Sequence, residues 1–159
     1  MINDERPTSN GEPLVRVVEL TKHFPIRQGL IFQRVTGQVR AVDGISFEIA
    51  RGETLGLVGE SGCGKSTAGR TLLGLYPATS GYSTIAGHHV QTATGDEWLA
   101  IRRGAQMIFQ DPFASLNPRW TVNGIISEPL RVHNLVDGEA ARTERVKELM
   151  ALVGLDSRY

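Results

Sequence analysis

The sequence holds a single cysteine, Cys63, in 159 residues, so no internal disulfide can form and a reducing compartment is the simplest setting. It has no surplus of either charge, because 17 basic residues balance 17 acidic ones. No global field therefore points to nucleic acid or to an anionic surface. It also lacks any apolar run near the length of about 18 residues that suggests a spanning helix. The opening MINDERPTSNGEP has no apolar stretch of the kind a leader or an anchor needs. A soluble, intracellular chain is expected. Internal repeats and low-complexity tracts are absent too, which excludes solenoids and linker-like chains.

What is present converges on Thr54 to Thr71, TLGLVGESGCGKSTAGRT. The apolar run Leu55 to Val58 reads as a short buried strand that empties into a glycine-rich turn and then into a helix. Gly59, Gly64, Lys65 and Ser66 meet the spacing GxxxxGK[ST], and each has a physical reason. Gly59, Gly62 and Gly64 allow backbone conformations in which successive N–H groups face a phosphate. The N-terminus of the following helix adds unpaired donors and a positive dipole end. Lys65 is placed to reach the outer phosphates. The Ser66 hydroxyl suits Mg²⁺, a cation that prefers oxygen, with Thr67 beside it. The loop by itself does not choose between a kinase, a GTPase and a transport ATPase. Cys63 is assigned packing within the loop and no catalytic role.

Taken in order, residues 1–13 read as a flexible tail and residues 14–159 as one domain. Leu14 to Leu20 is predicted as a strand that continues through Phe24, and Pro25 to Val39 as a loop or hairpin excursion. Arg40 to Ile49 is predicted as a second strand entered through a turn at Asp43-Gly44. A helix is expected over Ala68 to Leu75 with Leu72, Leu73 and Leu75 buried, then a strand over Tyr82 to Ile85. His88 and His89 are placed in a surface loop and not at a metal. Glu97 to Arg103 is expected to be helical, and Ala105 to Phe109 to form an apolar strand ending at Gln110-Asp111. Val122 to His133 has helical spacing, with Pro129 bending or restarting it. Gly138 to Val153 carries one apolar stripe of Val146, Leu149, Met150 and Val153.

GETLGLVGESGCGKST, preceded by VRAVDGISFEI and followed by MIFQDPFASLNPRWTV, resembles the ATP-binding subunit of ABC transporters, and within them the oligopeptide and dipeptide importer branch. QDPFASLNPR is the most specific string. The resemblance implies an α/β P-loop fold of the ABC ATPase type, with an N-terminal antiparallel β subdomain and the start of a helical subdomain. It implies that ATP is held by Gly59, Glu60, Ser61, Gly62, Cys63, Gly64, Lys65, Ser66 and Thr67. Gln110 would be the Q-loop glutamine, which helps Ser66 ligate Mg²⁺ and couples the site to the membrane subunits. Phe24 would stack on adenine; the alternative reading of the residue is an aromatic packed at a strand end. Asp111 to Pro118 would be a docking surface. The implied partners are transmembrane permease subunits, a second ATP-binding subunit in a homo- or heterodimer and, indirectly, an extracytoplasmic solute-binding protein. Nucleic acid is not among them. The implied location is the cytoplasmic face of the membrane, as a peripheral subunit.

The LSGGQ-type loop, the acid-ending Walker B strand with its catalytic Glu, and the switch His do not occur in the 159 residues. Asp111 follows the Q-loop glutamine and precedes Pro112, which makes it a poor substitute for the base. The expectation is a partial nucleotide-binding domain that binds ATP-Mg but lacks the groups to hydrolyse it alone, and whose P-loop strand lacks a neighbour and leaves apolar edges exposed. The alternative is a non-hydrolysing interaction module or truncated remnant. A small P-loop kinase is disfavoured, since nothing resembles an acceptor site or lid.

Overall fold

Val15, Val17 and Val18 on one strand and Ile45, Phe47 and Ile49 on another supply the β-branched and aromatic side chains that a pleated, half-buried surface favours. In the computed structural model they pair with each other. β1 (Val15–Gln28) lies antiparallel to β2 (Arg34–Ile49), with Val15 opposite Ile49 and Gln28 opposite Arg34. The structure describes residues 12–29, 34–111 and 115–156. They form two compact units, one ending at Ala105 and one beginning at Gln106, each taken by itself below.

In the first unit β3 (Ser80–Ile85) adds to the other edge of β1, and β4 (His88–His89) to β3, giving a four-stranded antiparallel sheet in the order β2-β1-β3-β4. Val17 and Leu20, three apart, should face opposite sides of a regular strand. Both are nevertheless buried, because the register slips between them: Val17 faces Phe47 and Leu20 faces Ile45. The extra residue forms a bulge at Glu19, whose φ is +45°. Its N–H donates to Ser46 Oγ at 2.8 Å and its carboxylate accepts from the same hydroxyl at 2.9 Å.

α1 (Lys65–Leu72) follows the glycine-rich loop, and α2 (Asp96–Gly104) follows β4. Ile85, Val90, Ala93 and Ile101 form a core, with Leu72, Leu73 and Trp98 packed against it. Ser83, fully buried, donates through Oγ to the Leu72 carbonyl at 2.8 Å, while its N–H donates to Gln91 Oε1 at 2.8 Å. That junction ties the end of α1 to β3. Gly74 ends the helix at φ +71°, where a Cβ would strike the Trp98 ring.

The described residues of the second unit include a pair of packed helices. α3 (Val122–Val132) starts at Thr121, whose hydroxyl accepts from the Gly124 N–H at 3.1 Å, and α4 is Glu139–Leu152. Leu130, Val146 and Met150 make the core between them, flanked by Val122, Ile126 and Leu149.

The antiparallel β subdomain and the helical start agree with the expected fold class, and several local readings need correction. Leu55 to Val58 and Ala105 to Phe109 are not strands among the described residues. A strand exists through its ladder partners, and neither segment has one there. Val58 and Ile108 are accordingly 91% and 97% exposed. Asp43-Gly44 is not a turn between strands: β2 runs through it, with Gly44 at φ +71° and its N–H donating to Thr21 Oγ1 at 3.1 Å. His88 and His89 form β4, with the His89 ring stacked on Tyr82 at 4.9 Å. α1 ends at Leu72, which leaves Leu75 half exposed, and Val153 falls past the end of α4 and is exposed. Pro129 does not restart α3, since it lies inside one continuous helix.

Candidate functional site

The loop from Gly59 to Gly64 closes on α1 at a conformation only glycine adopts freely. Gly64 is the helix N-cap at φ +97°, no side chain caps the end, and the first helical bond runs from the Ala68 N–H to the Gly64 carbonyl at 2.8 Å. Helix geometry therefore leaves the amides of the first turn as unpaired donors with the positive dipole end behind them. A Cβ on Gly64 would collide with the Ala41 carbonyl oxygen of β2, so the loop and β2 approach too closely for any other residue. Gly62, at φ +84°, faces open space instead.

Lys65 bends back across the loop. Its Nζ donates to the Gly59 and Glu60 carbonyls, each at 2.7 Å, and lies 3.5 Å from Cys63 Sγ. One ammonium thus holds two oxygen acceptors six and five residues before it. Ser66, Ser61 and Cys63 are exposed at the surface of the loop. Thr67 contributes its carbonyl to Thr71 Oγ1 at 2.8 Å inside α1.

Beside the loop is an open cleft of about 350 Å³, within the range of ligand pockets (~300–1,000 Å³). Arg40, Ala41, Val42, Asp43 and Ile45 of β2 line it, together with Leu57, Val58, Cys63, Gly64, Lys65 and Ala68. Pattern reading passed over a charged cluster on β1 and β2, of which Arg40 and Asp43 line the cleft. His23 Nε2 lies 2.9 Å from Asp43 Oδ1, and Arg40 Nη1 lies 3.4 Å from Asp43 Oδ2. The hydrogen bond to His23, followed by the charge of Arg40, holds the Asp43 carboxyl below its ordinary value. The available signal was an Asp inside a strand, a residue that strands disfavour unless something holds it.

Phe24 stands on β1 opposite Val39, outside the lining of the cleft. Its ring meets Tyr76 edge-on at 5.7 Å, and the Lys22 ammonium lies 4.8 Å from its centroid. Gln110 belongs to the second unit and is exposed. Of the expected docking stretch, 112–114 lie outside the described residues, as do 1–11 of the expected tail. In the remainder Ser115 Oγ donates to the Asp111 carbonyl, and the Arg119 N–H donates to Asn117 Oδ1 at 3.0 Å. No group of three or more His, Cys, Asp and Glu able to hold a metal occurs among the described residues.

The family model described as ABC transporter matches residues 42–158. The chain is 50% identical over 152 residues to the oligopeptide transport ATP-binding protein AppF of Bacillus subtilis (strain 168), covering 95% of this chain and 46% of that protein. It is 47% identical over 152 residues to the glutathione import ATP-binding protein GsiA of Escherichia coli (strain K12), covering 96% and 24%. The chain thus spans less than half the length of these two relatives. Among solved structures it is similar to the dimeric, post-hydrolysis ATP-binding cassette MJ0796 bound to ADP and Pi, with a TM-score of 0.69 over 91% of this chain and 59% of that one. At 24% identity this last likeness speaks for the fold alone.

Proposed function

Since the chain belongs to the ABC transporter family, we propose that it is the nucleotide-binding part of an importer ATPase, and that it binds ATP with Mg²⁺ at the loop from Gly59 to Thr67. The observation that carries this reading is the Lys65 ammonium held by two loop carbonyls at the amide-rich end of α1. Two phosphate oxygens can take the place of those carbonyls with the charge now matched, and the loop and first-turn amides donate to the remaining oxygens. Ser66 offers its hydroxyl to Mg²⁺, and Gln110 its side-chain oxygen. Bound Mg²⁺ supplies neutralisation of charge on the phosphates. Phe24 contributes an aromatic face to the base.

The names of the two relatives support uptake of peptides, including small ones such as glutathione, as the transported class. The chain would then sit as a peripheral subunit at the cytoplasmic membrane face, with permease subunits and a second ATP-binding subunit as partners and a solute-binding protein outside. No helix among the described residues is long and apolar enough to cross a membrane.

The 159 residues by themselves bind the nucleotide without turning it over, because they contain no apolar run ending in an Asp-Glu pair to orient an attacking water. The test is titration of a fluorescent ATP analogue with Mg²⁺, alongside a phosphate-release assay. Binding is expected, with a loss of about 10- to 150-fold in Lys65→Ala, the worth of a charged hydrogen-bonding group. Multiple turnover abolished by the same substitution would refute the claim of catalytic incompleteness. Equal affinity of the parent and Lys65→Ala would refute the site.

A further inference from the structure

Arg16 on β1 stands opposite Glu48 of β2 on one side and Thr84 of β3 on the other, and Thr84 in turn stands opposite His89 of β4. Directly opposed residues share a face of the sheet, so Glu48, Arg16, Thr84 and His89 form one row across all four strands. Tyr82, two residues before Thr84, belongs to the same face. Val17, Ser83 and Ile85 alternate to the other face, where they are buried. The polar row therefore lies on the side of the sheet away from the core.

On that side a cavity of about 160 Å³ opens between Glu12, Pro13, Arg16, Tyr82, Thr84 and Gly87. The Tyr82 ring, stacked on His89 at 4.9 Å, is held in place as one wall. Arg16 commits only Nε, which donates to Glu48 Oε1 at 2.7 Å. Its remaining N–H donors, the Thr84 and Tyr82 hydroxyls and the Glu12 carboxylate have no hydrogen-bonding partner among the described residues.

We propose that this cavity binds a small zwitterion, a free α-amino acid of about the size of alanine. A simple anion would gain the Arg16 guanidinium but be repelled by the Glu12 carboxylate, and a simple cation would meet the reverse conflict. An α-amino acid satisfies both, its carboxylate accepting from Arg16 and its ammonium donating to Glu12. The two hydroxyls complete the remaining hydrogen bonds. Size agrees with charge: at roughly 30 Å³ for each water the cavity has room for about five, close to the six or so non-hydrogen atoms of alanine. The inference does not rest on the nucleotide reading, since none of the six lining residues borders the cleft beside Lys65.

The isotopically labelled chain is titrated with L-alanine, and the Gly87 amide and the Arg16 Nε–H are followed by NMR. Saturable shifts of both are expected, with a Kd of about 1 mM for so small a ligand. Acetate and ethylamine, which each carry one of the two charges, should bind about tenfold more weakly or worse. Glu12→Gln and Arg16→Ala should each weaken alanine about tenfold, while unchanged signals from the rest of the sheet show that the variants are folded. The proposal is overturned if the Gly87 amide does not move at about 20 mM alanine, where such a site is nearly full. It is equally overturned if Glu12→Gln binds alanine as the parent does, or if acetate binds as well as alanine, either of which would leave a site for simple anions.

Discussion

Gly62 and Gly64 have similar backbone angles, φ +84° and +97°, yet their replacement by alanine should have very different costs. Both variants place a Cβ in the left-handed region, which costs about 1–2 kcal/mol. At Gly62 nothing stands within 4 Å, so that strain is the whole effect. At Gly64 the new methyl meets the Ala41 carbonyl oxygen, an atom of β2 backbone that no rotamer change can move. Separating loop and strand adds an overpacking term of about 1–3 kcal/mol, for a total of about 2–5 kcal/mol. The assay is urea unfolding followed by the emission of Trp98, which packs in the core of the first unit. Gly64→Ala is expected to shift the midpoint about 1.5 to 4 times as far as Gly62→Ala. If Gly62→Ala costs as much as Gly64→Ala, or if Gly64→Ala costs less than about 1 kcal/mol, the close approach of loop and β2 is refuted.

Other expectations follow from the packing. Leu20→Ala removes a fully buried side chain and should cost about 2–5 kcal/mol in urea unfolding, and Met150→Ala a similar amount, read through Trp120 of the second unit. Thr121→Ala should cost about 1 kcal/mol, by loss of the bond from Gly124, and lower helicity in circular dichroism. Because His23 and Arg40 lower the Asp43 carboxyl, its stabilising effect is complete above the ordinary carboxylate range and is lost as pH falls through the lowered value. Asp43→Asn should flatten stability against pH in that acidic window and lower it at neutral pH, where the contribution of the charged carboxylate is lost. The exposed Leu57, Val58 and Ile108 should make the chain bind a hydrophobic dye while folded, and Val58→Lys should reduce the signal.

The loop was legible because its requirements are local. Glycine where no Cβ fits, a Lys five residues past Glu60 and a hydroxyl at the helix start can all be read within eight positions. α2 and the helix pair of the second unit were legible from periodicity. The strand expected at Leu55 to Val58 does not form among the described residues, because its apolar run specifies that it must be covered but cannot supply the cover. Asp43-Gly44 misled for a related reason: the dipeptide favours a turn locally, and the bulged register with Thr21 and Glu19 overrides it. The cluster of His23, Arg40 and Asp43 spans 21 positions of chain and is assembled only by strand pairing.

The grip of Lys65 on the Gly59 and Glu60 carbonyls also acts as a filter by denticity. Any newcomer must offer at least two acceptors at the spacing of those carbonyls before the lysine gains by letting go. A halide, with one point of contact, cannot meet that condition. A terminal phosphoryl group, bound as proposed, would meet it, and on its departure the loop would re-clasp its own lysine, so that the site would reset without collapsing.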